Sequence, residues 1–148
     1  MLHQDWMQMA IKQAQMAFEQ GEVPIGAVVV HKGQVIAEAH NEKEQRNDPT
    51  AHAEVLVIQR ATEILGSWRL TDATLYVTLE PCPMCAGAIV QSRLKRLVYG
   101  AADLKGGAAG SVMNVLDYTL WNHRVDLVAG VLEEECANIL KKFFKRLR

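Results

Sequence analysis

Two short segments of this 148-residue chain carry residue types suited to metal and proton chemistry: His52-Ala53-Glu54 and Pro81-Cys82-Pro83-Met84-Cys85. One imidazole and two thiolates make three donors of the kind zinc selects. Structural zinc sites are closed by four protein ligands, whereas catalytic ones keep a position for water. A three-donor set of His52, Cys82 and Cys85 therefore implies one Zn²⁺ per chain and hydrolytic chemistry, since zinc brings the pKa of a bound water down to about 7. Glu54 is not needed as a ligand and is left as the proton carrier. Taken singly, a Cys-x-x-Cys pair also serves structural zinc corners and redox motifs, and a histidine at a helix start is often a cap. A non-catalytic zinc module that binds nucleic acid is the competing class, and Glu54 separates the two, because a structural site has no use for it.

These side chains converge only if the chain delivers them properly. In an ideal helix, residues two apart point about 200° away from each other, so His52 and Glu54 in mid-helix would face opposite ways. At a helix start the restriction lifts, because side chains lean toward the N-terminus and meet just beyond it. Two parallel strands feeding two adjacent helices would bring both N-termini, and their positive dipole ends, to one spot.

The rest of the pattern supplies such a scaffold. A helix is expected from Asp5, as cap, to Gly21, with apolar residues at Trp6, Met9, Ala10, Ala17 and Phe18. Strands at 26–30 and 35–37 flank the turn His31-Lys32-Gly33-Gln34. A polar stretch from Asn41 to Asp48 leads through Pro49 to a helix from about Thr50 to Leu65, closed by Gly66. Strands follow at Leu75–Thr78, Leu97–Tyr99 and Val125–Val128, with a helix from Ala86 to Gln91 between the first two. A last helix starts near Glu133, with Leu132, Cys136, Ile139, Leu140, Phe143 and Leu147 on its apolar face. Strand, helix, strand in sequence calls for a parallel crossover, so the expected fold is α/β: three layers, α/β/α, around a central mixed five-stranded sheet. The length fits one domain spanning 1–148. Cys136 sits among apolar neighbours at helical spacing and reads as core. His3 and His31 read as surface residues, and Gly106–Gly110 as the loop of a flexible connector or of a substrate contact.

Sixteen lysines and arginines against 17 acids give a formal charge of −1, which excludes a protein that binds nucleic acid over its whole surface. Any such contact is local. Lys141, Lys142, Lys145, Arg146 and Arg148 place five bases in the last eight residues, leaving 11 bases against 17 acids elsewhere. Phe143 and Phe144 lie among them, where a ring can stack on RNA. The same arrangement also suits a helix with Glu133, Glu134 and Glu135 at its positive end and bases at its negative end. Asp5 and Lys12 interrupt the N-terminal segment, and the apolar run Ile25–Val30 is far short of the roughly 20 residues a membrane span needs. Three cysteines, two of them closely spaced, fit a reducing cytoplasm and a metal better than a disulfide framework.

The order His-x-Glu followed by Pro-Cys-x-x-Cys after a strand resembles the signature of the zinc-dependent cytidine/deoxycytidylate deaminase superfamily. Over nearly the whole chain the residues resemble the bacterial tRNA-specific adenosine deaminases within it. The resemblance runs through Glu22–Val28, Asp48–Glu54, Thr74–Ala88, Gly106–Ser111 and Asn122–Val125. It implies a cytidine-deaminase-like fold and conversion of the wobble adenosine in a tRNA anticodon stem-loop to inosine. It further implies a homodimer, a nucleoside contact from Asn41, packing of Ile25 near the flipped base, and anticodon contacts from Asp103 and Lys105. The zinc motif is shared with deaminases of free bases and nucleotides such as cytosine and guanine, which form the alternative substrate class.

Overall fold

In the computed structural model the described residues are 1–118 and 120–147. The chain runs α1 (His3–Glu19), β1 (Gly26–His31), β2 (Gln34–His40), α2 (Lys43–Arg46), α3 (Ala53–Leu65), β3 (Ala73–Leu79), α4 (Pro83–Gln91), β4 (Arg96–Ala101), β5 (Asp126–Val128) and α5 (Glu133–Arg146). The five strands form one sheet in the order β2-β1-β3-β4-β5.

β1 is antiparallel to both its neighbours, while β3, β4 and β5 run parallel. β2 and β3 are thus parallel to each other across β1. They point the same way, and each leads toward a helix that starts at the same end of the sheet. The expected mixed sheet is present, and the parallel β3-α4-β4 unit is its crossover.

Alternation along the strands splits the core in two. Val29, Leu75, Val77 and Leu97 face the layer holding Leu56, Val57, Ala86, Ile89 and Val90 of α3 and α4. Val28, Val30, Tyr76 and Val98 face Trp6, Met7, Ala10 and Ile11 of α1 and Cys136 of α5. The period of two in the strands and the two apolar helix stripes together make the α/β/α sandwich.

Local chemistry explains where elements begin and end. Lys32 and Gly33 both take positive φ, 52° and 76°, which closes the β1–β2 hairpin in two residues. α3 starts three residues later than the sequence suggests. Asp48 Oδ1 accepts the Thr50 amide at 2.8 Å and its hydroxyl at 2.7 Å, turning the chain before the helix, so that His52 is its N-cap. The polar stretch after β2 is not all loop: Lys43–Arg46 form the short helix α2. His3, expected at the surface, has its Nδ1 2.7 Å from the Tyr76 hydroxyl and its ring tilted against that residue's. Leu147, expected on the buried stripe of α5, is 70% exposed, and α5 buries only Cys136 and Phe143. Arg148, the last base of the tail, lies outside the described residues. No helix among the described residues is long and apolar enough to cross a membrane.

Candidate metal and deamination centre

α3 and α4 each present their first turn to the same point. His52 is the N-cap of α3 in an extended conformation (φ −77°, ψ 150°), and Glu54 follows in the first turn. Cys82 is the N-cap of α4 (φ −73°, ψ 172°), and Pro83 takes the first helical position, where a missing N–H costs nothing. One turn on, Cys85 comes back over Cys82, because cap and third helical position lie on the same side of a helix start.

His52 Nδ1 lies 3.6 Å from Cys82 Sγ and 3.4 Å from Cys85 Sγ. The three donor atoms all fall within 4.8 Å of one another. A tetrahedral ion with bonds of about 2.1 Å to nitrogen and about 2.3 Å to sulfur sets donor–donor edges of about 3.6–3.8 Å. The observed N–S edges of 3.6 and 3.4 Å are close to that figure, so the three side chains suit one zinc-sized ion.

Proton affinities around the cluster are far apart. Hydrogen bonding from Cys85, and then from His52, draws the Cys82 thiol down to about 4 against the opposing effect of burial. The positive end of α4 favours charge at the same place. Cys85 is pushed well above the usual thiol range, first by its bond to Cys82 and then by burial and by the charges of Glu54 and Cys82. His52 is raised, chiefly by its hydrogen bond to Cys82. Glu54 is 4% exposed. Burial raises its carboxyl to about 7, while its hydrogen bond with Cys85 and the nearby His52 work the other way. A carboxyl balanced near neutrality beside a cation-binding cluster is suited to taking and returning protons.

Two further carboxylates, which sequence reasoning did not single out, are buried and hold backbone amides. Glu22, 1% exposed, accepts the amides of Glu44 and Gln45 at 3.0 and 2.8 Å and so caps α2. Glu80, 2% exposed, accepts the amides of Asp103, Ala109 and Ser111, each at 3.0 Å, together with the Ser111 hydroxyl. Burial opposes its charge, but those donors outweigh it and hold its carboxyl below the usual range. The Gly/Ala segment is therefore no flexible connector. Gly107, Ala108 and Ala109 are buried, and Ala108 N donates to Pro81 O at 2.8 Å. For Glu80 the available signal was its place directly before Pro81-Cys82; Glu22, 30 positions before His52, offered none.

The residues expected to touch substrate fall on two adjoining rims. Asn41 is buried; its Nδ2 donates to Val23 O at 3.3 Å and its Oδ1 accepts the Lys43 amide at 3.2 Å. Asn41 N also donates to Ile25 O at 3.0 Å, which sets Ile25, half-buried, beside it. Val23 continues into a groove of about 830 Å³ that Asp103, Lys105, Leu140 and Phe144 also line. Phe144 is 47% exposed there, whereas Phe143 is buried edge-on against Phe18. The structure thus brings His52, Glu54, Cys82 and Cys85 into one cluster and Asp103, Lys105 and Phe144 into one groove. Cys136 is buried on the far side of the sheet, its thiol pushed up to about 12 by burial and by Glu135.

A MafB19-like deaminase family model matches residues 1–148. The tRNA-specific adenosine deaminase of Bacillus subtilis is 57% identical over 143 residues, covering 97% of this chain and 89% of its own. This chain belongs to the tRNA-specific adenosine deaminase family. A solved structure from a study of A-to-I editing by tRNA:A34 deaminases at the wobble position of transfer RNA is 49% identical, with a TM-score of 0.89 over 92% of this chain and 99% of that one. Guanine deaminase of Bacillus subtilis is also similar, at 43% identity and a TM-score of 0.66, but over 69% of this chain and 66% of its own. The relatives so named are hydrolytic deaminases, and the cluster at the two helix starts is this chain's candidate centre for such chemistry.

Proposed function

We propose that this protein deaminates the wobble adenosine of a tRNA anticodon to inosine, releasing ammonia, and that residues 1–148 act as one domain. The observation that carries the reading is a buried Glu54 set against three metal donors in a chain 57% identical to a tRNA-specific adenosine deaminase. His52 Nδ1, Cys82 Sγ and Cys85 Sγ would hold one zinc ion. Zinc bound there supplies a Lewis acid that makes water nucleophilic near neutral pH.

The chain's own groups do the remaining work. Glu54 takes one proton from the attacking water and gives it to the adjacent ring nitrogen, then takes the second from the new C6 hydroxyl and gives it to the leaving amine. A C6–O bond forms, the C6–N bond breaks, and ammonia departs with the transferred proton. Burial of Glu54 keeps its proton exchange directed at the substrate. Asn41 and Ile25 form the rim that receives the extruded nucleoside, while Asp103, Lys105 and Phe144 hold the neighbouring nucleotides in the groove. A base extruded from a loop costs less unstacking than one in a duplex, which suits an anticodon. The reading extends to a homodimer working in the cytoplasm, and a molar mass in solution tests the first of these.

Deamination of free guanine is the second reading, favoured by the 43% identity to a guanine deaminase. Ammonia release measured side by side on an anticodon stem-loop, adenosine, cytosine and guanine decides between them. Turnover of the stem-loop is expected; preferred turnover of guanine or cytosine overturns the proposal.

A further inference from the structure

We infer that Glu80 is a positioning residue for substrate: its carboxylate holds the wall of the groove in the conformation that binds RNA, and it does so from the strand that also delivers Cys82. The inference rests on the substrate reading above, for the wall matters to a polymer and not to a free base.

Glu80 stands between β3 and the Pro81-Cys82 cap, its own amide fixed to Ala101 O at 2.9 Å. The four hydrogen bonds that its carboxylate accepts all come from residues 103–111. One of them, from Asp103 N, sets the start of a relay. Asp103 Oδ1 accepts the amides of Lys105 and Gly106 at 3.0 and 3.1 Å, and Asp103 O accepts that of Gly107 at 2.9 Å. The backbone of Lys105 is therefore placed by Asp103, and Asp103 by Glu80. Gly107 completes the fit, since a Cβ there would collide with the Glu80 carboxyl carbon and sit 2.5 Å from Asp103 O. Four donors converging on two oxygens need an acceptor-only group. A glutamine of the same shape would turn an NH₂ toward at least one backbone N–H, leaving donors facing each other in a buried place.

The experiment uses the full zinc-loaded chain as wild type, Glu80→Gln and Ser111→Ala, with an anticodon stem-loop as substrate. In Glu80→Gln, KM is expected to rise about tenfold or more with kcat changed by less than about threefold, because charged hydrogen bonds to the wall are removed while the cluster is untouched. Zinc should stay at one per chain. Amide exchange at Asp103, Ala109 and Ser111 should quicken by about tenfold or more, and amides in β1 should not change. Ser111→Ala removes one donor only and should shift KM the same way by about two- to fivefold, which keeps the test open if Glu80→Gln fails to fold. A fall in kcat at constant KM, or unchanged exchange at those three amides, overturns the inference. Wild-type protein inert on the stem-loop would instead overturn the substrate reading, and amide exchange would still decide what Glu80 does.

Discussion

The helix-start cluster and the groove wall sit side by side but are built by opposite means. His52, Cys82 and Cys85 are caps and first-turn residues of regular helices, so their backbone is placed by α3 and α4 and by the strands behind them. Asp103–Ser111 has little regular structure and is placed by one buried carboxylate 23 to 31 positions earlier. On the proposed function, the groups that hold reacting atoms to a fraction of an ångström stand on elements that cannot drift, and the wall that accepts a bulky polymer is a loop whose shape depends on a few hydrogen bonds.

If that division holds, damage to the cluster should abolish chemistry and damage to the groove should weaken grip. The largest effect is expected from Glu54→Gln, which keeps volume and burial but cannot shuttle protons. Turnover should fall by about 10² to 10⁴ or more while zinc content and stem-loop affinity persist; a single-turnover assay with parallel metal analysis and a binding titration checks all three, and near-normal turnover removes Glu54 from the mechanism. Cys82→Ala should lose the metal, and with it the stabilisation that a ligand of the native state confers, about 2.7 kcal/mol when free zinc is 100 times Kd. Melting with and without a chelator reads this directly: wild type should shift and the variant should not.

The acid–base order of the two thiols gives the cluster its pH dependence. Cys82, at about 4, is already a thiolate near neutrality, whereas Cys85 is held protonated far above that range. Metal binding must expel the Cys85 proton and, below the raised pKa of His52, the imidazolium proton as well, so zinc affinity rises with pH by about one log unit per pH unit or more between about 6 and 8, most steeply at the acid end. Competition against a chelator of known affinity across that range checks the sign and the slope. A pH-independent affinity would mean that the thiols do not both bind as thiolates.

On the groove side the effects should be smaller and confined to binding. Phe144→Ala is expected to cost about 1–3 kcal/mol of stem-loop affinity if the ring stacks on a base, with little change in salt dependence. Removing residues 145–148 should flatten the slope of log affinity against log salt by about 0.7 for each phosphate that the tail no longer neutralises, and leave zinc content unchanged. Affinities of both variants at several salt concentrations separate stacking from charge, and unchanged curves would reduce the tail to a well-charged helix end.

The same division explains what the sequence disclosed. The cluster was legible because each half is a local motif: the cap geometry that joins His52 to Glu54, and Cys82 to Cys85, needs only neighbours in the chain. The parallel β3-α4-β4 unit and the alternating strands were legible for the same reason. α2 was not, because four polar residues show no periodicity and the helix owes its place to Glu22, some 20 positions away. The wall from Asp103 to Ser111 read as a connector because small residues and glycines look alike whether free or bolted to a buried acid. Asn41 lay between these cases: the resemblance gave it a nucleoside contact, while its place beside Ile25 and its hydrogen bonds to Val23 and Lys43 depend on how the β2 end folds back.

β1 lies between β2 and β3, antiparallel to both, so the histidine half and the cysteine half of the cluster are carried by strands that never touch. The β1–β2 hairpin can form early from local contacts, but it must dock along β3 through pairings such as Val28 with Tyr76, nearly 50 residues apart, before the three donors meet. Metal uptake during refolding therefore reports completion of the sheet's centre. A chain whose hairpin docks one residue out of register would turn the Val28 face toward the wrong helices and leave the thiols without their imidazole.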